Sequence, residues 1–68
     1  MKATTNTPLV AWNDHIRIQV PAGTTVTVTA SLGKSAEFRV TDLTDYGILW
    51  VEQPLCGYAA LDQLTPIN

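Results

Sequence analysis

The sequence predicts an all-β domain in which five short strands curl into a small barrel, with one short 3₁₀ turn near the carboxyl end. Two observations carry this expectation. Apolar and polar side chains alternate with a period of two through most of the chain, and Gly, Pro and Asn-Asp pairs punctuate the alternating runs at short intervals. A third points the same way: the one run with helical composition, Ala59 to Leu64, is too short to repay the cost of helix nucleation, so a single 3₁₀ turn is expected there.

The elements follow in order. Residues 1–8 are Thr-rich and show no apolar period, and they read as a flexible arm ahead of a single domain over residues 9–68. Leu9-Val10-Ala11-Trp12 is a short apolar patch, a candidate edge strand, closed by Asn13-Asp14, whose side chains can hydrogen-bond their own backbone in a turn. From His15, alternation sets Ile16, Ile18 and Val20 against His15, Arg17 and Gln19, and Pro21-Ala22-Gly23 ends the run.

Thr24 to Leu32 continues the pattern, with Val26, Val28, Ala30 and Leu32 expected inward and Thr25, Thr27, Thr29 and Ser31 outward. Gly33-Lys34 supplies a tight turn, and Ser35 to Thr41 returns with Ala36, Phe38 and Val40 inward. A polar connection over residues 42–47 leads to a strand over 48–53, which Pro54 ends or turns toward Cys56-Gly57-Tyr58. Thr65-Pro66-Ile67 reads as a last short strand.

Size and charge bound the function. A 68-residue chain hides only about 60% of the surface that it exposes when unfolded, so its core is thin. Cys56 is the only cysteine and His15 the only histidine, which excludes an intramolecular disulfide and a Cys/His zinc set. An apolar content of 46% beside 15% charged residues favours self-association or partner binding. Four cations, Lys2, Arg17, Lys34 and Arg39, are dispersed in the sequence and outnumbered by six acids, for a net charge of −2, which disfavours nucleic acid as a partner. There is no apolar run of signal-peptide or membrane-span length, and the cytoplasm is the expected compartment.

Trp50 followed by Gly57-Tyr58-Ala59-Ala60-Leu61-Asp62-Gln63-Leu64-Thr65-Pro66-Ile67 resembles the carboxyl half of SH3-like domains, where a tryptophan strand precedes a Gly-aromatic strand, a 3₁₀ turn and a short final strand. Gly23-Thr24-Thr25-Val26-Thr27-Val28 is similar to a strand common in the bacterial branch of that family, so the resemblance covers residues 23–67 and implies an SH3-like barrel. It does not extend to the proline-ligand groove. Where that groove takes a proline and a tyrosine, this chain has Ala60 and Gln63, and the span from Trp50 to Gly57 is shorter than the family norm.

The candidate partner-binding residues are Trp50, Tyr58, Tyr46 and Trp12, because aromatics bury large areas at low entropic cost and concentrate in binding hot spots. Trp50 is expected at the barrel rim, since Leu49 and Val51 claim the inward phase, and Tyr46 is expected to be exposed in its polar loop. Trp12 is expected more toward the core or an oligomer contact.

No catalytic residue, metal ligand or cofactor is assigned. His15 and Asp14 are adjacent and would point to opposite faces of a strand, Cys56 has no cation beside it in sequence and reads as a buried structural thiol, and Asp42 and Asp45 read as turn caps. The expected function is that of a non-catalytic module or small accessory subunit with a protein or peptide partner and a capacity to form homo-oligomers. Two alternatives are an enzyme whose site is assembled at a symmetry axis and, less favoured, a single-strand nucleic-acid binder. For the first, the small plasmid-borne dihydrofolate reductases set the precedent, but their Val-Gln-Ile-Tyr pore motif does not occur here.

Overall fold

A computed structural model describes residues 1–40 and 54–67. Within them the chain is all-β: β1 (Lys2–Thr5), β2 (Leu9–Trp12), β3 (Arg17–Val20), β4 (Thr25–Ser31), β5 (Ser35–Val40), β6 (Leu55–Ala60), a 3₁₀ turn (Leu61–Gln63) and β7 (Leu64–Ile67). The expected strand over 48–53 and the connection over 42–47 lie outside the described residues. All described pairings are antiparallel, and the strands form one sheet in the order β3-β2-β6-β5-β4-β1-β7. That is seven strands rather than the five expected, and the sheet is open, since no pairing joins β3 to β7 among the described residues.

One of the additional strands comes from the segment expected to be a flexible arm. β1 sits between β4 and β7, pairing Lys2 with Thr27 and Ile67, and its Ala3 and Thr5 enter the core. Backbone and side-chain hydrogen bonds explain why a Thr-rich segment folds in. The Thr5 hydroxyl donates to the Pro21 carbonyl at 3.0 Å and accepts from the Thr24 amide at 3.1 Å, so the one buried polar side chain among the described residues is satisfied. Asn6 fastens the other flank: its amide group donates to the Asp62 carbonyl at 3.0 Å, and its side-chain oxygen accepts from the Thr65 hydroxyl at 2.7 Å. Thr5→Val keeps the shape and leaves the Thr24 amide without that acceptor, so a loss of about 1–3 kcal/mol in urea-unfolding stability is expected.

The hairpin of β4 and β5 forms as the alternation predicts, with Gly33 at φ +80° in its turn and the Leu32 amide bonded to the Ser35 carbonyl at 2.8 Å. The part of β4 that leads into this turn departs from the prediction. A β-bulge between Val28 and Ala30 inserts Thr29 as an extra residue, so Val28 stays opposite Phe38 while Ala30 faces Glu37 and Ser31 faces Ala36. Beyond the bulge the phase is inverted. Ala30 and Leu32, expected inward, lie with the outer set, and Leu32 is 52% exposed.

Inward residues from every strand meet in one core that includes Ala3, Leu9, Val20, Val26, Phe38, Leu55 and Leu64. Because β3 and β7, at opposite ends of the strand order, contribute to the same cluster, the sheet must coil around it. Within it Phe38 is the register partner of Gly57 on β6. A Cβ on Gly57 would lie 2.6 Å from the Phe38 ring tip and 2.5 Å from the Val10 carbonyl oxygen, so the bare backbone is what lets the ring and β2 close over β6. The 3₁₀ turn and final strand occur where expected, and no helix among the described residues is long and apolar enough to cross a membrane.

Candidate recognition face

With the core filled from one side, the other side of the sheet carries what the chain presents outward. On β2 the inward positions go to Leu9 and Ala11, so alternation turns Trp12 out. On β6, Gly57 and Ala59 are inward and Tyr58 is out. Trp12 is the register partner of Cys56, which makes Tyr58 its diagonal neighbour across the two strands. The rings meet with centroids 6.0 Å apart and planes tilted by 51°, a favourable aromatic geometry. Both remain open to solvent, Trp12 at 43% and Tyr58 at 56%. Of the two places expected for Trp12, the core is ruled out in this protomer, where Leu9 and Ala11 take the core phase, while the exposed indole leaves the expected oligomer contact untouched. Trp50 and Tyr46, the other two candidates, lie outside the described residues.

Register places charge beside this pair. Reading across the sheet, Arg17 pairs with Trp12, Trp12 with Cys56, Cys56 with Arg39, Arg39 with Thr27, Thr27 with Lys2, and Lys2 with Ile67. These residues form one continuous outward row over all described strands. It holds Arg17, Arg39 and Lys2, which have no ion-pair or hydrogen-bond partner for their side chains among the described residues. The one strand acid described, Glu37, sits opposite Tyr58 and Ala30, and its carboxylate accepts from the bulged Thr29 hydroxyl at 2.8 Å.

The row opens at one end into a cleft of about 500 Å³ lined by Trp12 and the residues of the β2–β3 turn through Arg17. This turn forms as the Asn-Asp pair predicts: the Asn13 side-chain oxygen accepts from the amides of His15 at 2.7 Å and Ile16 at 2.8 Å. Cys56, expected to be buried, is only half-buried in the row, because Gly57 and Leu55 hold the inward positions on either side of it. Among the described residues no group of three or more His, Cys, Asp or Glu converges as a metal site would require.

The two arginines were not legible as site residues. In sequence they are isolated cations, and only the pairing of β2 with β3 and of β5 with β6 brings them into line with Trp12. For Arg17 a signal existed: an Asn-Asp turn after Trp12 sets up a hairpin whose returning strand places a cation opposite the indole.

No protein-family model, curated protein or solved structure matches this chain.

Proposed function

We propose that this chain is a non-catalytic binding module that engages a protein or peptide partner on the outer face of its sheet, through Trp12 and Tyr58. The observation that carries the reading is the aromatic pair itself. In a chain whose core is this small, two of its largest apolar side chains pack against each other on the outside, 43% and 56% exposed. Aromatics presented in this way supply large contact area at low entropic cost, the usual character of a binding hot spot. Kinship with SH3-like domains is part of the proposal, supported by the succession of a Gly-Tyr strand, a 3₁₀ turn and a short final strand.

The test compares the immobilised protein with its Trp12→Ala, Tyr58→Ala and Lys34→Ala variants in capture from a lysate. Partners held by the wild type and by the Lys34 variant are expected to be lost from both aromatic variants, with affinities reduced about tenfold or more. Retention of the same partners by all four proteins would remove this face from consideration.

A further inference from the structure

We infer that the partner of this face is an extended acidic peptide segment laid across the strands, its carboxylates on Arg17 and Arg39 and an apolar side chain between them on the Trp12–Tyr58 pair. The inference deepens the binding reading above and rests on it. Its ground is the outward row: Arg17, Trp12, Cys56, Arg39, Thr27 and Lys2 are successive register partners, and the three cations in it have no side-chain partner among the described residues.

Spacing converts the row into a sequence preference. Neighbouring strands lie about 4.8 Å apart, so Arg17 and Arg39, separated by three strand steps, stand about 14 Å from each other. An extended peptide advances about 3.4 Å per residue, so two carboxylates four residues apart match that distance and project on the same side. The residue midway between them projects on that side too, over Trp12 and its diagonal neighbour Tyr58. The pattern is acid-x-apolar-x-acid. Arginine suits the role because its planar guanidinium grips a carboxylate with two parallel hydrogen bonds. Lys2, two strand steps beyond Arg39, extends the same attraction toward β7.

Charge also selects the peptide over a nucleic-acid strand. The cations are sparse, separated by intervening uncharged strands, and the whole chain carries a net charge of −2, which repels a continuous polyanion. A short segment with two carboxylates meets the same repulsion on a smaller scale, and its two charges can both be placed on arginines.

The experiment titrates the full chain into three fluorescein-labelled probes and follows anisotropy: the peptide Thr-Asp-Thr-Leu-Thr-Asp-Thr, the same peptide with Asn for both Asp, and an oligothymidylate of similar length. The acidic peptide is expected to bind about tenfold more tightly than its Asn counterpart and more tightly than the oligonucleotide. Arg17→Gln and Arg39→Gln should each weaken it about fivefold, Arg→Lys at either position less, and Lys34→Gln not at all. Equal affinity for the two peptides, no binding by either, or preference for the oligothymidylate would overturn the inference. The two readings separate cleanly. If both peptides bind alike and both are lost with Trp12→Ala, the aromatic face stands and the acidic preference falls. If the acidic peptide depends on the arginines and ignores Trp12→Ala, the aromatic reading falls and the charged row alone remains.

Discussion

Gly57→Ala is expected to lower the stability of the fold by about 3 kcal/mol, a large share of what a domain of this size has. The added methyl would meet the Val10 carbonyl oxygen at 2.5 Å and the Phe38 ring at 2.6 and 3.0 Å, and a backbone oxygen in a paired strand has no rotamer into which to retreat. Urea unfolding would show the loss as a lower midpoint at unchanged slope. The clash also has a partner that can be removed. Phe38→Leu deletes the ring atoms that the methyl would meet, so the double variant should lose less than the sum of the two singles. Strict additivity would mean that Phe38 does not lie over Gly57.

Deleting residues 1–5 is expected to unfold the protein, with loss of amide dispersion in a two-dimensional NMR spectrum. β1 is the strand through which β7 joins the sheet, and without it β7 keeps no described partner while β4 exposes its edge. Ala3 and Thr5 leave the core together, and the hydrogen bonds of Thr5 to Pro21 and Thr24 go with them. A well-dispersed spectrum from the truncated chain would restore the picture of a flexible arm.

The difference between those two pictures shows what a single sequence exposes. The hairpin of β4 and β5 is written in strong period-two alternation around a glycine turn, and the 3₁₀ turn before β7 in a run too short for a helix, so both could be read locally. β1 could not, because its inward residues are Ala3 and Thr5, one small and one polar, and a buried threonine is recognisable only once its acceptor at Pro21 and donor at Thr24 are in place. The bulge at Thr29 leaves no mark in composition, yet it reverses the faces of every residue up to the turn, which is why Leu32 is outside. Trp12 sits in a run of four apolar residues, where alternation has no polar member to set its phase. The cation row is further from view still: it depends on registers between β2, β3, β5 and β6, including strands distant in the chain.

Binding of a partner by the outer face of this sheet is the proposal from which the expected effects at Trp12, Tyr58, Arg17 and Arg39 follow. The most direct measurement is an amide and indole chemical-shift map of the isotope-labelled protein titrated with the acidic peptide. Shifts concentrated at the Trp12 indole and at residues 12, 17, 39, 56 and 58 are predicted. A second surface provides the contrast, an apolar cleft of about 270 Å³ lined by residues that include the inward-facing Ala3, Ala36 and Leu64 together with Val28 and Leu61. Shifts confined to that cleft, with the Trp12 and Tyr58 signals unmoved, would contradict the account.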